Sequence, residues 1–337
     1  MPENPYKYTF MAGQRLMAGF DGIGLNQDLR FLIDTLHVGG IILFARNLGT
    51  PEEIAALCRD AQAYAADCGL PPLFIAVDQE GGQVARLKAP FIQFAGNPVI
   101  HNHADARHFA AVTASELNRV GINMNMAPVL DVGDAIENSI MGKRVFPGGP
   151  DRVAELGCTV IDEMQANTIM AVGKHFPGIG RTTTDSHIDR PVLDTAADIL
   201  QKTDLLPFQA AVTRNVAGIM LSHIVYAGID PDWPASLSVA IAKTLLREQM
   251  KFNGVVFTDD LDMGAIKKHY DLETVIDRVV AADIDVALIC HKGPGREDAF
   301  ESFCRHAGAA PDIRKRFQDA VDRILTLKTR FLRYHDQ

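Results

Sequence analysis

A closed (β/α)8 barrel, an α/β fold of the TIM type, is what the sequence predicts, and three observations predict it. Short apolar strand patterns recur eight times, helical patterns lie between them, and Asp21, Arg46, Asp78, Lys174, His223 and Asp259 each follow a strand within two residues. Alternation of this kind points to parallel βα units, and eight of them in 337 residues match the size of a barrel. The polar residues then fall on the C-terminal rim, where barrels of this type build their sites.

The strands are expected at Arg15 to Phe20, Gly40 to Phe44, Leu73 to Val77, Ile122 to Ala127, Ile169 to Gly173, Gly218 to Leu221, Gly254 to Phe257 and Asp285 to Cys290. Each is a short, largely apolar run, as a strand buried on both faces requires. Between them, Thr50-Pro51-Glu52-Glu53 reads as a capping box with proline at the first helical position. Ala104 to Val120, Asp151 to Ala166 and Val239 to Met250 are helical in pattern. Pro311 to Leu332 places Ile313, Phe317, Val321, Ile324 and Leu325 at helical spacing, so a last helix is expected to pack on the barrel exterior. With no linker, repeat or low-complexity tract, one domain over residues 1–337 is expected.

Composition narrows the function. A formal net charge of -9 without a long Lys/Arg block argues against a nucleic-acid or anionic-membrane partner. Met1 to Phe10 does not read as a secretory signal, and no uncharged run is long enough to cross a bilayer. The five cysteines, Cys58, Cys68, Cys158, Cys290 and Cys304, are scattered without a C-x-x-C, which suits reduced thiols in a cytoplasm and gives no structural metal site. The expectation is a monomer or weak homo-oligomer acting on a small polar ligand.

The chemistry concentrates in Lys174-His175-Phe176-Pro177-Gly178-Ile179-Gly180 and the following Asp185-Ser186-His187. The apolar run Thr168 to Gly173 stops where the cations begin. In an extended backbone, residues two apart share a side, so Asp185 can orient the His187 ring and favour its protonated form. Other chemical segments are Val77-Asp78-Gln79-Glu80-Gly81-Gly82, Ala127-Pro128-Val129-Leu130-Asp131-Val132 and Phe257-Thr258-Asp259-Asp260-Leu261.

These four segments, in their order along most of the chain, resemble glycoside hydrolase family 3, and within it the single-domain β-N-acetylglucosaminidases of the cell-wall recycling type. The K-H-F-P-G-x-G pattern followed by D-S-H is the most specific part. The resemblance implies a retaining exo-glycosidase for terminal β-linked N-acetylglucosamine, with Asp259 as nucleophile, His187 as acid/base and Asp185 as its partner. An imidazole, with an unperturbed pKa of about 6.5, can donate to a leaving oxygen and then accept from water near neutrality. The sugar-binding positions implied are Asp78, Arg86, Arg144, Lys174 and His175, with neither metal nor organic cofactor.

Alternatives stay open at this point. Asp260 can take the nucleophile role if Asp259 caps the next helix; Arg86 and Arg144 can be surface charges; His223 can be a packed strand-end histidine. A metal-dependent hydrolase using His175, His187, His223 and an Asp, a phosphorylase, and a non-catalytic sugar-binding protein are the competing functions. One departure is that the family loop commonly carries a second histidine where this chain has Ile179, which bears on loop closure and on aglycone preference. His101 and His103 read as surface residues.

Overall fold

The computed structural model describes residues 5–133, 139–182 and 190–332. Among them, eight parallel strands close into a barrel: β1 Leu16–Ala18, β2 Gly40–Leu43, β3 Phe74–Val77, β4 Met124–Asn125, β5 Met170–Phe176, β6 Gly218–Leu221, β7 Val255–Asp260 and β8 Val286–Ile289. Their order round the barrel is their order in the chain, and β8 closes onto β1 with Leu16 opposite Ala287. The predicted barrel is the observed one. Six strands lie inside their expected segments, while β5 and β7 run on to Phe176 and Asp260. Both extensions carry charged residues, which a search for apolar runs leaves out.

Closure gives each strand an inside and an outside, and the period of two distributes the side chains. Phe74 and Ala76, Met170 and Val172, Val255 and Phe257, and Val286 and Leu288 pack in one cluster within the barrel. Their neighbours Ile75 and Val77, Ala171, Val256, and Ala287 and Ile289 join the larger cluster beneath the helices. Glycines make room for the interior rings: a Cβ on Gly218 would sit 2.6 Å from the Phe257 ring. Met17, Met124, Met126, Met170 and Met220 fill the remaining interior, a use that suits their flexible side chains.

The helices cover the outside. Thr50 caps the helix Pro51–Asp67 reciprocally, with Glu53 N–H donating to Thr50 Oγ1 at 3.3 Å and Thr50 N–H to Glu53 Oε2 at 2.7 Å. His103–Arg119 starts from an Asn102 cap and Pro150–Ala166 from a proline at its first turn. Val239–Gln249 winds as a π-helix. The helix Pro311–Phe331 buries Phe317, Val321 and Ile324, and its Ile324 and Leu327 reach the cluster inside the barrel. Lys328, one position on, is completely buried, with Nζ donating to Gln14 Oε1 at 2.8 Å and lying 5.1 Å from the centre of the Phe74 ring. Gln14 precedes β1 and Phe74 opens β3, so this helix closes the N-terminal mouth of the barrel.

Burial pushes the Lys328 ammonium down to about 7. Between that value and the roughly 10.4 of an exposed lysine, the unfolded chain binds more protons than the folded one, so this group makes stability rise with pH. Lys328→Met is therefore expected to be more stable than the parent at pH 6, by on the order of 1–4 kcal/mol, with the margin shrinking at pH 9.5. Urea unfolding at the two pH values measures it; a margin that grows with pH would contradict the account.

Candidate active site

The period of two that fills the barrel also builds its upper layer. Past the apolar part of each strand, the inward positions become Phe44 after Ile42, Asp78 after Ala76, Lys174 after Val172, Asp259 after Phe257 and Cys290 after Leu288. All five line a cavity of about 170 Å3, together with Glu80 from the short strand Gln79–Gly81 and with Arg86 and Arg144 from beyond the barrel strands. His175 and Asp260 also line it although their parity is outward. The ladders slip between Lys174 and Phe176 and between Phe257 and Asp260, and such irregularities turn an outward side chain inward.

The polar groups form one connected network. Lys174 Nζ lies 2.7 Å from Asp78 Oδ1 and 2.7 Å from Glu80 Oε1. Arg144 grips Glu80 with two bonds, Nε to Oε2 at 3.0 Å and Nη2 to Oε1 at 2.8 Å, and Arg86 Nη2 stands 3.5 Å from Asp78 Oδ2. Burial disfavours ionisation of Asp78 and Glu80 and is the largest single influence, but Lys174 together with Arg86 and Arg144 at Asp78, and with Arg144 at Glu80, overcomes it, and both carboxyls sit below their ordinary values. Burial likewise opposes the Lys174 charge, and the two carboxylates override it, raising the ammonium above its usual range.

The adjacent carboxyls at the end of β7 are driven apart. At Asp259, burial is overcome by charge interactions with His223 and then His175, by the Asp260 N–H and by Lys174, and its pKa is lowered. At Asp260, burial prevails with help from Asp262 and Asp259, and the pKa is raised. Their contacts differ as well. Asp260 Oδ1 accepts the N–H groups of Asp262 at 3.0 Å and Cys290 at 3.1 Å, whereas Asp259 accepts that of Asp260 at 2.8 Å and forms no ion pair among the described residues. Turn-capping thus falls to Asp260, and the freer, more acidic carboxylate is Asp259.

Asp131, wholly buried behind the cavity, holds the loop after β5. It accepts His175 Nδ1–H and Ile179 N–H, each at 2.8 Å. Gly178 adopts φ +120° there, and a Cβ on Gly180 would lie 1.9 Å from the Val132 carbonyl oxygen, so both glycines are required by the turn. Ile179 is 5 % exposed and packs in the core beneath the helices, so it is not an apolar tip over the cavity. Asp185 and His187 lie outside the described residues.

The other expected positions resolve as follows. Asp78, Arg86, Arg144, Lys174, His175 and Asp259 come together round one cavity. His223 stands behind it, with Nδ1 2.7 Å from Ser236 Oγ and Nε2 2.8 Å from the Asp260 carbonyl. With both ring nitrogens engaged, it has no lone pair to offer the metal set left open by the sequence. Arg46 pairs with Asp21 at 3.1 Å and donates to the carbonyls of Phe20 and Cys290, tying loops rather than lining the cavity. His101 and His103 are exposed. Glu80 and Asp131 are not among the site residues to which the sequence points. Counting inward parity from Ala76 to Asp78 and on to Glu80 would have found the first; Asp131 reaches His175 only through the fold.

Residues 13–327 match the Glycosyl hydrolase family 3 N terminal domain. The chain belongs to glycosyl hydrolase family 3. A β-hexosaminidase of Pseudomonas aeruginosa (strain LESB58) is 34% identical over 294 residues, 86% of each chain. Among solved structures, a family 3 β-N-acetylglucosaminidase from Paenibacillus sp. str. FPU-7 superposes with a TM-score of 0.92 at 36% identity over 96% of this chain, which spans 62% of that one. A β-N-acetylhexosaminidase from Beutenbergia cavernae gives 0.88 at 30% identity over 96% of this chain and 98% of its own. Among the described residues of this family 3 chain, no helix is long and apolar enough to cross a membrane.

Removing the Lys174 ammonium should expose the dependence of the network on it. Lys174→Met is expected to lose on the order of 3–5 kcal/mol at pH 7, because buried carboxylates are left short of counter-charge. The sign with pH follows from the depressed folded pKa values of Asp78 and Glu80: their contribution is present above the unfolded carboxylate range and disappears as pH falls through the folded values. The gap between parent and variant should therefore narrow on acidification, measured by denaturant unfolding at pH 7 and pH 4.5.

Proposed function

We propose that this glycoside hydrolase is a retaining exo-acting β-N-acetylglucosaminidase that releases terminal β-linked N-acetylglucosamine, from peptidoglycan fragments, in a cytoplasmic setting. The observation that carries the reading is the Asp259 carboxylate, of lowered pKa and without an ion pair among the described residues, facing a cavity whose Arg86, Arg144 and Lys174 are held by Asp78 and Glu80. Asp259 attacks the anomeric carbon as positive charge develops there, forming a covalent glycosyl-enzyme while His187, oriented by Asp185, protonates the departing oxygen. His187 then takes a proton from water, which attacks the same carbon and releases the sugar with its configuration kept.

The surroundings support this division of labour. Asp78 offers acceptors and Arg86, Arg144 and Lys174 offer donors to sugar hydroxyls, so orientation comes from groups already held by ion pairs. Ile42, Met220 and Leu288 floor the cavity on the packed barrel interior, which favours a chain end entering from the loop side. Five free cysteines support a reducing compartment.

Asp259→Ala is expected to cut kcat for an aryl β-N-acetylglucosaminide by at least about a thousand-fold. His187→Ala should lose about 100-fold or more on poorly departing aglycones and less on nitrophenyl ones, since a good leaving group needs little protonation. Time-resolved proton NMR should show the β-anomer of the sugar forming first. Near-normal turnover by Asp259→Ala, or first formation of the α-anomer, would refute the mechanism, and a rate that depends on inorganic phosphate would identify a phosphorylase instead.

A further inference from the structure

Asp131 is 0 % exposed and does not line the cavity, yet its carboxylate reaches the cavity wall through one imidazole. Oδ2 lies 2.8 Å from His175 Nδ1, Oδ1 accepts the Ile179 N–H at 2.8 Å, and the His175 backbone N–H stands 3.3 Å from both oxygens. Among the described residues every partner of this carboxylate is an N–H group, so it acts as an acceptor and the proton of the shared contact belongs to Nδ1. On the far side of the ring, Nε2 faces Arg144 Nη2 at 3.5 Å. A guanidinium only donates, so Nε2 must present its lone pair. Whenever the ring is neutral, the two neighbours together select one tautomer, protonated on Nδ1.

We infer that Asp131 is a positioning residue of the active site: it sets the tautomer of His175, His175 thereby receives Arg144, and Arg144 holds Glu80, Lys174 and Asp78 in place along the cavity wall. The contacts are continuous. Arg144 binds Glu80 at 2.8 and 3.0 Å, Glu80 meets Lys174 at 2.7 Å, and Lys174 meets Asp78 at 2.7 Å. The same carboxylate clamps the turn at Ile179, so one buried group governs both the ring and the start of the loop behind it. For its kinetic consequence the inference rests on the glycosidase reading; the tautomer assignment does not.

Asp131→Asn tests it, because an amide can keep one acceptor but must set an N–H against either His175 or Ile179. Turned toward Nδ1, it moves the ring proton to Nε2, where it opposes the Arg144 donors. The expected result is a folded protein whose kcat/KM for an aryl β-N-acetylglucosaminide falls on the order of 100-fold. Nitrogen-15 NMR of imidazole-labelled protein should show His175 protonated on Nδ1 in the parent and on Nε2 in the variant. In a His175→Ala background, Asp131→Asn should cost less than about 3-fold more, since the two changes act through one path. The inference is overturned by an Nε2–H tautomer in the parent, by near-parental kinetics in folded Asp131→Asn, or by an undiminished loss in the His175→Ala background. If Asp131→Asn does not fold, the parent spectrum decides alone. A parent inactive on these glycosides would sink the glycosidase reading while the spectrum still judged the tautomer.

Discussion

One ammonium, that of Lys174, stands 2.7 Å from carboxylates of two residues, and the upper layer of the barrel is organised round that arrangement. A buried charge survives only when opposite charge and hydrogen-bond partners replace the water it has lost. Asp78 and Glu80, two residues apart after β3, therefore need a cation between them, and β5 must run past its apolar part to deliver it. Arg144 satisfies the rest of Glu80 with a two-bond grip that the geometry of a guanidinium allows and an ammonium does not. The result is a wall of carboxylates and cations already paired with one another, which need not reorganise when a polar ligand arrives.

Against that wall, Asp259 is different in kind. It receives favourable electrostatic influence from His223, His175 and Lys174 without an ion pair of its own among the described residues. Its neighbour Asp260 is engaged by backbone N–H groups and pushed toward its protonated form. Two carboxyls adjacent in sequence thus occupy different electrostatic environments, because the ladder slip at the end of β7 aims both at the cavity while only one caps the turn. Separation of this kind is how a protein obtains a reactive carboxylate beside an inert one.

Much of this was legible before folding was considered. The eight strands announced themselves as apolar runs, and six of the eight expected site residues, Asp78, Arg86, Arg144, Lys174, His175 and Asp259, converge on the cavity. Ile179, expected to bear on loop closure and aglycone preference, has its side chain in the core, because the turn at Gly178 and Gly180 directs it away from the cavity. Glu80 and Asp131 were hidden for different reasons. Glu80 continues the inward parity of β3 into a segment that reads as loop, whereas Asp131 acquires its role from a contact with a residue 44 positions away.

By itself, then, the sequence determined the barrel, the end of the barrel that carries chemistry, and the residue types gathered there. Those follow from local properties: apolarity, a period of two, and the point on each strand where apolarity ends. Only the tertiary structure decided which charges pair, which of two neighbouring carboxyls caps the turn, and which buried acid reaches His175. These depend on distances across strands and on the departure of water from the spaces between them, and neither is a property of any segment taken alone.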